Sequence, residues 1–175
     1  MKPILSYFSI LNIIAFFAAI FLFTACDLND ERVGGFPQEG QIWADVEDLS
    51  YTFDDPAGTL VSIANTYSAS VQTLSIYRKS SPNALRFGTF RVLLTRFDFD
   101  NTTPRILDNT NVRLDFEPQS NVIYNASGGD IRFEVLSIEN DVIKANFSGT
   151  LQNSLNANQQ VRVRNGSLNI KIRRE

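Results

Sequence analysis

Ile143, Ala145, Phe147, Gly149 and Leu151 are apolar or small, and the residues between and after them, Lys144, Asn146, Ser148, Thr150 and Gln152, are polar. Unbroken period two over this length calls for an extended strand, which points successive side chains to opposite faces and here buries only one of them. The alternation returns in Val161 and Val163 against Arg162 and Arg164, and in Leu168, Ile170 and Ile172 against Asn169, Lys171 and Arg173. One dry face and one wet face belong to antiparallel sheet. Weaker strands are expected near 41–46, 49–53, 59–64, 71–78, 87–97, 112–117 and 121–125. Beyond the first 25 residues no long segment carries a helical stripe. The expected fold class is all-β, an antiparallel barrel or sandwich of about eight to ten strands following an N-terminal signal-peptide helix.

Two turns set registers. Asn165-Gly166 has the composition of a type I′ turn, whose two central residues need positive φ. A two-residue loop there pairs Val163 with Leu168 and Val161 with Ile170, all on one face, and predicts a closing hairpin. The other turn is Asn140-Asp141. A two-residue loop pairs Ile138 with Ile143 and Leu136 with Ala145, but it would set Glu134 against Phe147, where the pattern wants Phe133. Either a β-bulge near Val135-Leu136 or a three-residue loop restores that pairing. Gly128-Gly129-Asp130 and Ser81-Pro82-Asn83 mark further turns.

The N-terminus has a different character. Lys2 precedes residues 3–25, which carry no charge, and Thr24-Ala25 lead into Cys26, the single cysteine. The layout is that of a secretory signal peptide, and its terminal cysteine marks the bacterial lipoprotein type. An uncleaved membrane helix is the alternative, since about 20 apolar residues span a bilayer. Cleavage is favoured by the run starting at the N-terminus, by its Thr-Ala-Cys ending, and by the acidic segment that follows (Asp27, Asp30, Glu31). Phe23 departs from the usual Leu three residues before such a cysteine; Leu22 stands one place earlier. The expected organisation is a signal peptide over 1–25, a flexible tether over 26–40 and a single β domain over 41–175. Lipidation is expected at Cys26. Each buried CH₂ contributes about 0.8 kcal/mol, so one acyl chain holds weakly and two hold firmly.

Composition excludes much chemistry. The chain has no His, which removes Ser-His-Asp and Cys-His sites and His-ligated zinc. A single Cys allows no internal disulfide. No catalytic residue, metal ligand or cofactor site is assigned. Net charge is −3, which gives no sign of a nucleic-acid partner. It is unevenly spread: residues 26–56 are strongly acidic, with Arg32 as their only base, and Arg162, Arg164, Lys171, Arg173 and Arg174 cluster near the end. That basic cluster reads as the solvent face of terminal strands, partly offset by the acidic N-terminal part; the alternative is a surface for phosphate or anionic lipid.

Three further features are candidate sites. Asp98 and Asp100, at i and i+2, would share a face of a strand and are a carboxylate pair for hydrolysis or calcium. Thr103 and Asn109 stand where an EF-hand needs Gly and Glu, so a strand end running into the Asn101-Thr102-Thr103-Pro104 turn is the better reading. Asp54-Asp55-Pro56 reads as a turn as well. Trp43, the only Trp, reads as a core anchor, with stacking on a sugar or capping a ligand cavity as its functional alternatives.

In the C-terminal half, Glu139-Asn140-Asp141, then Ala145-Asn146-Phe147-Ser148-Gly149-Thr150-Leu151, then the run from Val161 to Leu168 form a set of hairpin and core patterns. This set resembles that of a family of small Bacteroidota lipoproteins. Gly40-Gln41-Ile42-Trp43-Ala44 matches the family's opening Gly-x-x-Trp-x-Ala-like strand. Ala145 stands where Gly is common, and Leu151 and Leu168 where Phe is common. The resemblance covers residues 40–173. It implies a lipocalin-like or sandwich domain and no known activity. In that phylum acids just after the lipidated Cys resemble a surface-export signal; in a different envelope system Asp directly after it means inner-membrane retention. The expectation is a non-catalytic envelope lipoprotein, held to the membrane by lipid at Cys26 and placed in the outer membrane, with surface exposure left open. Its β domain would bind a small apolar ligand, a glycan or an envelope protein. The alternatives are a subunit of an envelope assembly and a small carboxylate-dependent hydrolase.

Overall fold

The computed structural model describes residues 35–55, 64–126 and 130–175. The predicted leader, Cys26 and most of the tether fall outside the described residues, as does nearly all of the strand expected at 59–64. The described chain forms β1 (Gln41–Val46), β2 (Leu49–Phe53), β3 (Thr66–Ser68), β4 (Thr73–Lys79), β5 (Thr89–Leu94), β6 (Arg105–Leu107), β7 (Val112–Gln119), β8 (Val122–Asn125), β9 (Arg132–Glu139), β10 (Val142–Asn153), β11 (Gln160–Lys171) and β12 (Arg173–Arg174). The strands make one sheet in the order β12-β3-β4-β5-β7-β8-β10-β11-β1-β2, with β9 also on β10 and β6 on β9.

The architecture is all-β, as the alternation predicts. The described residues form twelve strands, against the eight to ten expected, because β3, β6 and β12 are only two or three residues long. It is mixed rather than purely antiparallel, because β12 runs parallel to β3. The sheet is not closed, but it curls as barrels and sandwiches do. Tyr51 on β2 and Phe116 on β7 are far apart in the strand order, yet their ring centroids lie 5.1 Å apart. At one end of the curl, Asp55 and Lys79 exchange backbone hydrogen bonds of 2.9 and 2.8 Å, which ties the end of β2 to the end of β4.

The β9–β10 hairpin has the expected register. Asn140 and Asp141 have φ of 51° and 63°, the two positive values of a type I′ turn. Ile138 faces Ile143, and the register then shifts so that Val135 meets Ala145 and Phe133 meets Phe147. Of the two devices considered, the bulge is the one used: Leu136 is the extra residue on β9.

The closing hairpin does not exist. Residues 160–171 run as one strand, paired with β10 on one side and β1 on the other. Asn165-Gly166 is a bulge in its middle. Phe147 pairs with Gly166 and Gly149 with Val163, while Trp43 pairs with Ser167 and Asp45 with Arg164, so both neighbours see one extra residue on β11. Asn165 takes the left-handed conformation at φ 48°, the conformation required of the first residue of a G1-type bulge. Gly166 is glycine for a different reason: a Cβ there would stand 2.3 Å from two ring carbons of Phe147 and 2.6 Å from its carbonyl oxygen.

β10 changes partner at a second close approach. Its first part pairs with β9, and Gln152 and Asn153 pair with β8. At the changeover Gly149 has φ 155°, and a Cβ on it would stand 2.3 Å from Cδ1 of Ile131. The Asp130 carboxylate accepts the Thr150 N–H at 3.1 Å, standing in for a strand partner.

The inward faces form a single apolar cluster that includes Phe53, Phe90, Phe116, Phe133 and Phe147. Ring pairs link distant strands, such as Phe90–Phe147 at 5.1 Å and Phe53–Phe90 at 5.5 Å. Burying each such side chain contributes about 1.5–3 kcal/mol. The folded unit begins at Phe36: Pro37 is buried, its carbonyl accepts from Asn169 Nδ2 at 2.9 Å, and Gly40 N donates to Asn169 O at 2.7 Å.

Candidate functional site

Asp98 and Asp100 lie in the irregular segment between β5 and β6, not on a strand. Phe97 and Phe99 turn inward, which leaves both carboxylates on the exposed side. Their oxygens serve different partners. Asp98 Oδ1 accepts the Asp100 N–H at 3.0 Å, an Asx turn. Asp100 Oδ1 pairs with Arg174, whose Nε also donates to Asp141 at 2.8 Å and whose guanidinium lies 5.0 Å from the Phe99 ring centroid. Arg105 fastens the same segment. It lies 4.6 Å from the Phe97 ring centroid and donates to the carbonyls of Asp98, Asn101 and Thr103 at 2.6, 2.5 and 3.1 Å. Burial lowers the pKa of Arg105, and the Asp98 charge opposes the shift. The geometry is that of a pinned turn.

Three of the basic C-terminal residues pair with acids through their side chains: Arg164 lies 3.9 Å from Asp48, Arg173 pairs with Glu175 at 2.9 Å, and Arg174 joins Asp100 and Asp141. The backbone N–H of Arg162 donates to Glu47 Oε1 at 2.6 Å. Trp43 is buried, but on the opposite face of β1 from Ile42 and Ala44, across from Thr52 and Ser167. It is not part of the main core cluster. Among the described residues no His, Cys, Asp and Glu side chains group in threes to hold a metal, and no helix is long and apolar enough to cross a membrane. Cys26 lies outside the described residues.

The residue that stands out was not singled out from the sequence. β4 alternates, with Leu74 and Ile76 in the core, and Arg78 occupies the next inward position. It is 7% exposed, as is Ser80 two residues on. A buried guanidinium loses several kcal/mol of hydration unless it is paired. The acids nearest in charge effect are Asp55 and Asp54, at the end of β2. Asp54 Oδ1 is occupied by the Ser81 N–H at 3.0 Å. Among the described residues no carboxylate oxygen comes within 4.0 Å of an Arg78 nitrogen. Burial depresses the Arg78 pKa, and the two acids only partly oppose it.

Arg78 does have one close partner. The Asn65 carboxamide satisfies its surroundings when its oxygen faces the guanidinium, accepting from Nη2 at 3.0 Å and Nη1 at 3.3 Å. Nε and the Ser80 hydroxyl are buried with no hydrogen-bond partner, which is unusual for buried polar atoms. The backbone at the start of β1 borders the site, since a Cβ on Gly40 would stand 3.9 Å from Arg78 Nη2. The signal in the sequence was parity: Arg78 falls in step with Leu74 and Ile76.

No protein-family model, no curated protein and no solved structure significantly matches the chain.

Proposed function

We propose that the chain is a lipid-anchored protein of the bacterial envelope, in the outer membrane, whose β domain binds a ligand or partner at its surface and loops and does not catalyse a reaction on it. The observation that carries this reading is the interior. The inward side chains of β2, β5, β7, β9, β10 and β11 pack into one cluster, so binding falls to the ends and loops rather than to an apolar centre. The carboxylates that offered a hydrolytic alternative are tied to a turn N–H and to Arg174, which favours binding. The N-terminal pattern ending in Cys26 supports the anchor, and the acids after it support surface exposure.

Two measurements test the proposal. Intact mass of the membrane-extracted protein should show loss of residues 1–25 and added acyl chains, and Cys26→Ser should release the protein from the membrane fraction. Retention of the leader in most molecules would overturn the anchor. The purified protein should bind an envelope lipid, glycan or protein saturably and leave it unchanged. Turnover of a glycan or ester that disappears in a folded Asp98→Asn, Asp100→Asn variant would replace binding with hydrolysis.

A further inference from the structure

The Arg78 guanidinium offers donors on two sides. Asn65 occupies the end between Nη1 and Nη2. The lateral edge, made by Nε and the neighbouring Nη, keeps a buried donor with no partner at Nε, and the Ser80 hydroxyl is another buried group without one. Both residues are more than nine-tenths buried. They lie two positions apart on the same side of the chain, a separation of about 7 Å along a strand. A guanidinium edge matches two oxygens of one carboxylate with parallel N–H···O bonds, and a serine hydroxyl can donate to a remaining lone pair.

The charge of the surroundings narrows the ligand. Asp54 and Asp55, at the end of β2, act on Arg78 and partly oppose the effect of its burial. A doubly charged phosphate would meet repulsion from both acids, whereas a singly charged carboxylate can use the fork and meet less of it. Arg78 lies next to the end of β4, and the exposed Asp54 acts on it, so the ligand's approach is from the end of the domain.

We propose that the end of the domain formed by Arg78, Ser80, Asn65 and the Gly40 backbone binds a small carboxylate-bearing molecule, held by the lateral edge of Arg78 and by Ser80 Oγ. The inference rests on the reading of the domain as a binding module and supplies the chemistry of its ligand.

The test follows the Arg78 Nε–H resonance of the ¹⁵N-labelled full chain in mild detergent. The probes are acetate, glucuronate, glucose and glucose 6-phosphate; the last three share a ring and differ at one carbon as carboxylate, neutral hydroxyl and phosphate. Acetate and glucuronate should move this resonance saturably, glucose should not, and glucose 6-phosphate should bind more weakly than glucuronate. Arg78→Lys keeps the charge, loses the fork, and should abolish binding. Because that variant replaces a buried group, two milder ones carry the test if it fails to fold. Ser80→Ala should weaken binding about tenfold, the worth of one hydrogen bond to a charged group. Asp54→Asn keeps an oxygen for the Ser81 N–H, removes a negative charge, and should tighten binding a few-fold.

No saturable shift with either carboxylate overturns the site, with buried water then satisfying the two groups. An equal shift from chloride at matched ionic strength, which is an adventitious ion only, also overturns it, as does tighter binding of the phosphate. Failure here together with saturable binding of another envelope component removes this site and leaves the binding-module reading intact. Chemical conversion of a bound carboxylate would do the reverse.

Discussion

Gly166→Ala adds one methyl group at the tightest point of the sheet. The new Cβ would stand 2.3 Å from Cδ2 and Cε2 of Phe147 and 2.6 Å from the Phe147 carbonyl oxygen. The ring could swing aside, at the expense of its contacts with Phe90 and Phe133. The carbonyl cannot, because Phe147 and Gly166 are partners in the β10–β11 ladder. Overpacking costs about 1–3 kcal/mol and sometimes more, and a clash with paired backbone belongs at the top of that range. A loss of about 3 kcal/mol should lower the Tm by roughly 10 °C in a domain of this size. Urea unfolding followed by the fluorescence of Trp43, the only Trp, measures it directly. Two companions separate a bulge from a hairpin. Gly166→Asn should be at least as damaging as Gly166→Ala, whereas a type I′ turn would accept Asn. Asn165→Gly should stay within about 1 kcal/mol of the parent, since glycine suits the left-handed conformation and only the 2.9 Å bond to Asp45 is lost. Unfolding midpoints for Gly166→Ala within about 0.5 kcal/mol of the parent, at unchanged slope, would refute the reasoning.

Asp130 gives a pH prediction. Its bond to Thr150 holds its carboxyl below the usual carboxylate value. Its contribution is therefore full above the unfolded pKa of about 4 and is lost as the pH falls through the lower folded value. Acid unfolding curves of Asp130→Asn should lack that component; curves superimposable on the parent's below pH 4 would contradict it. Arg174→Ala should loosen the C-terminus, because Arg174 joins Asp100, Asp141 and the Phe99 ring. Hydrogen exchange should then accelerate at Arg173, Glu175 and β3 and leave β10 unchanged; protection unaltered throughout would count against the clamp.

What the sequence revealed depended on whether a pattern had one physical solution. The β9–β10 register was legible because Phe133 and Phe147 both needed the inner face and only an extra residue could bring them together. The β11 bulge was not, because Val163 is odd and Leu168 even in number, and two devices reverse parity: a two-residue turn and a one-residue bulge. Asn-Gly suits the first by composition. The structure uses the second, with positive φ at Asn165 and not at Gly166. The deciding fact, the Phe147 ring over Gly166, is a tertiary contact between strands. Runs of two or three residues, such as β3, β6 and β12, are too short to display a period. Asp98 and Asp100 could be read as a turn from their neighbours Asn101 and Pro104. Arg78 was missed because a charge near a strand end ordinarily faces water, and only the parity of β4 says otherwise.

The parallel pairing of β12 with β3, together with the place of β11 between β10 and β1, has a consequence for how the chain is made. β1 is among the first strands to be synthesised, and on one side it rests on β11, which is among the last. Closing so long a loop is slow. Until β11 and β12 have been made, β1 lacks its second neighbour and β3 lacks its neighbour on one edge, although the early strands can already pack Tyr51 on Phe116 and Phe53 on Phe90. The sheet therefore cannot be completed before β11 has been made. β11, paired with β10 on one side and β1 on the other, is the strand whose arrival unites the early and late parts of the sheet.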